Sequence, residues 1–399
     1  MIERLTGSIQ GYAWGSTTAI PTLLGEEPTG DPQAELWLGA HPKAPAQISG
    51  RGLDAIIDED PAGLVGSSSV DRFGPRLPYL LKVLAADQPL SLQAHPSREQ
   101  AEAGFAREEA AGVSMDAPHR MFRDDWPKPE MLCALGEMDT LCGFREPAET
   151  YALFAQLGVA AAVELVTPLA QGGTSQLAEV FEQLLQLEEP KPLVDEIVAA
   201  AGRAAGDATT SGGTFGRFAG TAVELAEFYP GSAGIVAALL MNRVSFGRDQ
   251  AIFLPAGNLH AYLSGTGVEI MANSDNVLRG GLTPKHIDVA ELMSVLDFTP
   301  GFAGFVPTIA QGPGVYRYDT PAPEFALWRL ELGDGAAPVP VPAESSGRVL
   351  LVSAGSVIVR DGSTELTLGQ GQSAFVSAHR PATVTGPGTL FVAGPGVSL

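Results

Sequence analysis

The segment LPYLLKVLAADQPLSLQAHP (77–96) reads as two buried strands joined at the turn Ala86-Asp87-Gln88-Pro89. In the second strand, Leu90 and Leu92 alternate with Ser91, Gln93 and His95. A period of two places those three polar side chains on one face. A polar face on an otherwise buried strand implies a lined cavity. The period changes at Pro96. Ser97 followed by Gln100 is a capping-box signature and predicts a helix start. Residues 119–145, including WPKPEMLCAL, return to mixed, strand-like sequence.

Helical periodicity follows. Leu177, Val180, Phe181, Leu184 and Leu185 fall on one amphipathic stripe, and 191–201 and 220–241 carry similar patterns. Between them GRAAGDATTSGGTFG (202–216) reads as a flexible loop. From about residue 244 strands and turns resume. After Pro313 come short strands: VYRYD, FALWRLEL, RVLLVSAG, SVIVRDG, TELTLG, SAFVSA and TLFVAG. Turn signals separate them by roughly 8–12 residues, the spacing of a sandwich or jelly roll. PVPVPAE (338–344) reads as an exposed loop within that region. No fixed-period repeat is present. The pattern is mainly β with a helical insertion, and 399 residues suit two or three domains.

Charge narrows the partners. The net charge of −22 argues against nucleic acid, whose recognition needs clustered Lys and Arg, and obliges an anionic substrate to meet a local basic pocket. Only five lysines are present: Lys43, Lys82, Lys128, Lys191 and Lys285. Cys133 and Cys142 are too few for a disulfide framework and are expected to be reduced thiols. MIERLTGSIQGYAWG lacks the apolar core of a signal peptide, and no apolar run approaches the ~20 residues of a membrane span. A cytoplasmic location is expected.

The densest chemistry lies in PAGNLHAYLSGTGVEIMANSDNVLRGGLTPKHID (255–288). His260, Glu269, Arg279 and Lys285 sit there among small and kinked residues that favour tight turns. Upstream, Gln93-Ala94-His95 places two ligand-capable side chains two apart on a strand. Singly, a buried histidine or a PxGxxH turn has an ordinary structural explanation. Together the QxH pair and the PxGxxH segment resemble the two metal motifs of the cupin superfamily, with QxH standing where HxH is usual.

Several blocks, in order, resemble the type I mannose-6-phosphate isomerases (phosphomannose isomerases). They are YAWGS (12–16), AELWLGAHPKAP (34–45), PYLLKVLAADQPLSLQAHPS (78–97), KPEM (128–131) and LPAGNLHAYLSGTGVEIMANSDNVLRGGLTPKHID (254–288). Trp126-Pro127 stands before Lys128 where relatives more often have Asn-His. The resemblance implies a cupin jelly-roll catalytic domain over 1–96 and 242–311, with 126–145 contributing strands and Glu130. It further implies a mainly helical insertion over 97–241 and a second jelly roll over 312–399. It implies one Zn2+ per chain on Gln93, His95, Glu130 and His260, with Arg279 catalytic. Lys82, Lys128, Tyr262, Glu269 and Lys285 are implied to line the same cavity.

The expected reaction is the interconversion of mannose 6-phosphate and fructose 6-phosphate through an enediol. Glu269 and Lys82 are the candidates for proton transfer. Ser91, Lys128, Tyr262 and Lys285 are the candidates for holding substrate. Two imidazoles, one carboxylate and one neutral amide leave zinc a net charge near +1, which preserves Lewis acidity. His41 and His286 read as structural hydrogen-bonders, and His379 stands alone in the C-terminal region. A non-catalytic sugar-binding cupin and a metal-dependent cupin oxygenase are the alternatives. The first would need neither Arg279 nor a proton-transfer group, and the second would favour a His-rich site without Gln. A sugar phosphate is the expected partner, and the chain is expected to be a monomer or small homo-oligomer.

Overall fold

The computed structural model describes residues 1–206 and 213–396. Two large antiparallel sheets, each rolled on itself, share one apolar core with each other, and the helical layer packs on the site-bearing one. The fold is a cupin-type site-bearing jelly roll with a helical insertion and a second, C-terminal jelly roll.

The site-bearing sheet runs Ala251–Leu254, Glu130–Phe144, His260–Ala272, Tyr79–Ala86, Glu35–Gly39, Ser8–Gln10. Leu278–Gly281 pairs with Leu92–Ala94, which in turn pairs with His260–Ala272; Met241–Phe246 pairs with Glu130–Phe144. Glu130–Phe144 and His260–Ala272 carry register shifts at Tyr262/Ser264 and Gly265/Gly267. Gly265 has φ +115°, and a Cβ there would meet the Glu137 carbonyl oxygen at 2.5 Å. That bend lets one long strand serve both walls of the roll.

The alternation expected over 90–95 holds. Leu92 and Ala94 are buried in the helical core while Gln93 faces a cavity. The capping box is also present: Ser97 accepts from the Gln100 backbone, and the Gln100 side chain accepts from the Ser97 backbone, starting the helix Arg98–Ala110. The stripe Leu177, Val180, Phe181 and Leu184 is fully buried on Thr174–Leu185. Each such side chain contributes roughly 1.5–3 kcal/mol by leaving water. It packs in one core with Val194 and Ile197 of Lys191–Gly206, and Phe218 and Leu225 of Gly213–Phe228. Most of the loop expected at 202–216 is therefore helix: 202–206 and 213–216 extend the two helices, and 207–212 lie outside the described residues. Burial of the flanking apolar stripes overrode the loop-like composition.

The C-terminal sheet runs Ile2–Leu5, Ser373–Val376, Arg348–Arg360, Gly388–Gly394, Ala326–Leu332, Val315–Tyr318, Thr308–Gly312. Three details differ from expectation. RVLLVSAG and SVIVRDG form one strand, Arg348–Arg360, which bends at Gly355 (φ +74°) rather than turning. Val339–Pro340, expected as loop, pairs with Thr383–Thr385, and Val341 beside it is buried. The strand Ile2–Leu5, read as part of the site-bearing roll, pairs with Ser373–Val376 of the other sheet, and Thr308–Gly312 also belongs there. Among the described residues no helix is long and apolar enough to cross a membrane. Both cysteines are free and buried, and burial pushes each thiol up to about 12.

Candidate metal centre and active site

A cavity of about 710 Å³ opens in the site-bearing roll. Every candidate from the sequence lines it except His95 and His260, which lie buried in its floor.

Strand register assembles the floor. Gln93 is the cross-strand partner of His260 on one side and of Arg279 on the other. His95 lies two residues beyond Gln93, just past the strand end. Glu130 opens the long strand Glu130–Phe144. The ligand atoms offered by His95, Glu130 and His260 all lie within 4.8 Å of one another, and among the described residues this is the one such group of His, Cys, Asp and Glu. His95 Nε2 stands 3.3 Å from one Glu130 oxygen, and His260 Nε2 stands 3.4 Å from the other.

The tautomers follow from backbone carbonyls. His95 Nδ1 donates to Asn276 O at 2.7 Å, and His260 Nδ1 donates to Asn258 O at 3.0 Å. Both Nε2 atoms are thus lone-pair bearers, and both are buried without a hydrogen-bond partner. Two imidazole lone pairs and a carboxylate facing one space repel one another unless a cation lies between them. The nitrogen and oxygen donors suit zinc. Gln93 beside them can add an amide oxygen.

The turn that presents His260 has a clear local cause. Asn258 N donates to Pro255 O at 3.2 Å, and Gly257 takes φ +76°. A Cβ on Gly257 would come within 2.8 Å of the Val295 carbonyl oxygen, so glycine is required.

Electrostatics divide the cavity in two. Burial lowers His95 to about 4, with the Lys128 ammonium adding to the effect, so the ring is neutral near pH 7. Burial acts the other way on Glu130, but the Lys128 ammonium at 2.9 Å outweighs it and holds the carboxyl well below its usual range. Next to this floor a second network is buried. Lys82 Nζ lies 3.2 Å from Glu269 and 3.5 Å from Glu35. Trp37 Nε1 donates to Glu35 at 2.7 Å, and the Tyr262 hydroxyl donates to Glu269 at 2.8 Å. Burial disfavours the Lys82 charge, yet Glu35 and Glu269 raise its pKa above normal. Burial raises Glu269, with Lys82 opposing and Glu130 and Glu35 adding to the rise. Tyr262, buried against Glu269, is raised well above its ordinary value.

Sequence reasoning missed Glu35, Trp37 and Asn276. Trp37 is the cross-strand partner of Lys82, and Lys82 is the partner of Glu269. The two-residue spacing of Glu35 and Trp37 gives them a common face, but only register aims that face at Lys82. Asn276 seats His95 through its carbonyl and donates its side-chain amide to Asp124 O at 2.8 Å and Trp126 O at 2.9 Å. His41 is buried, accepts from Lys43 N at 3.3 Å, and stands 3.6 Å from Asp275, as a structural histidine would. His286 and His379 are exposed.

Residues 2–147 match the family model of the phosphomannose isomerase type I catalytic domain. Over 400 residues the chain is 37% identical to the mannose-6-phosphate isomerase of Escherichia coli (strain K12), covering 98% of each. It is 33% identical to the mannose-6-phosphate isomerase of Homo sapiens, covering 95% of this chain and 94% of that one. A solved mannose 6-phosphate isomerase in its holo, zinc-bound form superposes with a TM-score of 0.89 at 34% identity, covering 99% of this chain and 100% of that one. Identity at this level from end to end, carried on a shared fold, makes the chain a member of the mannose-6-phosphate isomerase family, in its type I branch.

Proposed function

We propose that the chain is a zinc-dependent aldose–ketose isomerase interconverting mannose 6-phosphate and fructose 6-phosphate. The observation that carries this is the pair of buried, unpartnered imidazole nitrogens facing Glu130 in the floor of a charged cavity. We assign Gln93, His95, Glu130 and His260 as the residues that hold the metal. Zinc bound there supplies Lewis acidity that polarises the sugar oxygens. The division into a site-bearing roll, a helical insertion and a C-terminal roll is our reading of the two sheets.

The chemistry left to the side chains is proton transfer and charge stabilisation. Glu269, raised by burial and aligned by Tyr262 and Lys82, removes the proton from C2 of the open-chain aldose. The C–H electrons form the C1–C2 double bond, and the C1 oxygen gains the negative charge. Glu269 returns the proton to C1, the O2 proton passes to the C1 oxygen, and C2–O2 becomes the carbonyl, which completes the ketose. Arg279, across Gln93 from the metal residues, stabilises the enediolate oxygens. Lys82, kept cationic between two carboxylates, is the second proton-transfer candidate and serves ring opening. Lys285 and Ser91 reach toward the phosphate. Lys128, tied to Glu130, holds a sugar oxygen close to the metal residues. The test is metal analysis of the purified chain with a coupled assay for fructose 6-phosphate. Zinc near one equivalent with product formation is expected. Sugar binding without turnover, or oxygen consumption on another metal, would overturn the assignment.

A further inference from the structure

Arg123, Arg279 and Lys285 converge on one wall of the cavity, and Arg123 was not among the residues singled out from the sequence. Among the described residues no carboxylate forms an ion pair with any of the three. Asp124, next to Arg123 in the chain, and Asp275, which lines the cavity, are already engaged. Asp124 accepts from Ser274 Oγ at 2.7 Å and from Asp275 N at 2.8 Å, while Asp275 pairs with Lys43 at 2.8 Å. The three cations are close enough to disfavour one another: Arg279 is lowered by burial and by Arg123, and Lys285 by burial, Arg279 and Arg123. A protein of net charge −22 has no shortage of carboxylates with which to neutralise such a group. Uncompensated cations gathered in a concave, half-buried wall are a dianion site.

Arg123 is also held in place. Its backbone N–H donates to Asn276 Oδ1 at 2.7 Å, and one guanidinium nitrogen donates to Met115 O at 2.6 Å. The same Asn276 presents its carbonyl to His95. One buried residue therefore sets both a metal-binding imidazole and the backbone that carries this guanidinium. Lys128, by contrast, is occupied by Glu130.

We propose that Arg123 is a substrate-positioning residue of this site, forming with Lys285 a cradle for the substrate's phosphate, while Arg279 on the same wall is left to the enediolate oxygens. Asn276, which seats both the Arg123 backbone and the His95 ring, ties that cradle to the floor that would hold the metal. The proposal rests on the isomerase reading above.

The test uses zinc-loaded Arg123→Gln and Arg123→Lys. KM for mannose 6-phosphate and the calorimetric Kd for inorganic phosphate are measured with kcat and zinc content. In Arg123→Gln, KM and the phosphate Kd rise together by about ten- to a hundredfold, the range for losing a charged hydrogen bond. Zinc stays at its wild-type level and kcat falls much less than KM rises. Arg123→Lys recovers most of the phosphate affinity. An unchanged phosphate Kd in fully metallated Arg123→Gln overturns the proposal. So does a folded Arg123→Lys protein as weak as the Gln variant. Failure of the isomerase reading shows elsewhere, as absence of fructose 6-phosphate from the unmodified holoenzyme, whereas phosphate affinity is read without turnover.

Discussion

Across the site-bearing roll, the cross-strand row Trp37–Lys82–Glu269–Leu132 spans four strands. Across the C-terminal roll the row Ala374–Leu350–Val392–Trp328 also spans four strands. Both rows are buried. The first carries an ammonium and a carboxylate, the second only apolar groups. The buried acids and bases of the second roll sit mostly at its seam with the rest of the chain: Glu324 pairs with Arg98 at 3.0 Å, and Arg329 pairs with Asp249. One scaffold thus supports a dry core or a charged cavity, depending on what occupies the inward positions. Buried charge costs stability that apolar side chains would have supplied. The site-bearing roll carries that cost where the chemistry needs it, and the apolar roll and helical core offset it.

The largest effect should come from emptying the floor. Glu130→Ala is expected to lose zinc on metal analysis and to abolish turnover in the coupled assay; full metal content would break the assignment. Glu269→Gln keeps shape and removes the proposed base, so kcat should fall by about 10²–10⁴ while zinc is retained. Arg279→Ala should lower kcat by about 10²–10³ with little loss of zinc. If zinc and activity fall together, Arg279 is structural and the division of labour in the row His260–Gln93–Arg279 is mistaken. In the other roll, Leu350→Ala removes a fully buried side chain and should cost about 2–5 kcal/mol by chemical denaturation. Its kcat per folded molecule should match wild type. A drop there would show that the C-terminal roll shapes the cavity.

How legible was this from the chain? Gln93 and His95 were readable because a period of two forces both to one face. The helix at Ser97 was readable because a capping box is local chemistry, and the helical core because a stripe at 3.6 residues has one good burial solution. The partnership of Glu35, Trp37, Lys82 and Glu269 was not readable, because register between strands tens or hundreds of residues apart decides which side chains meet. The strand Ile2–Leu5 fails for the same reason: nothing in IERL says that its partner is Ser373–Val376. Gly355 misled in the other direction, since a glycine that looked like a turn is a bend inside one strand. Arg123 lay in a stretch of ordinary charged sequence, and only the fold shows its lack of a counter-charge.

Acid pH compares the two rolls most directly. Burial lowers both His41 and His95 to about 4, from an ordinary value near 6.5. In metal-free protein the native state therefore refuses two protons that the unfolded chain accepts as pH falls from 6.5 toward 4. Stability should decline over that window, by up to about 1.4 kcal/mol per pH unit for each histidine. It should be unaffected by these groups above 6.5. Glu130, held low, acts in the same sense at more acid pH, since its stabilisation is lost as pH falls through its folded value. Urea midpoints of the metal-free chain between pH 7 and pH 4 measure this, and His41→Asn should remove about half of the slope contributed by the pair. Leu350→Ala lowers the midpoint as well, but its apolar surroundings give no reason for a new slope, so its curve should run parallel to wild type. If His41→Asn and Leu350→Ala give curves of the same shape, burial of ionisable groups in the site-bearing roll is not what separates the two.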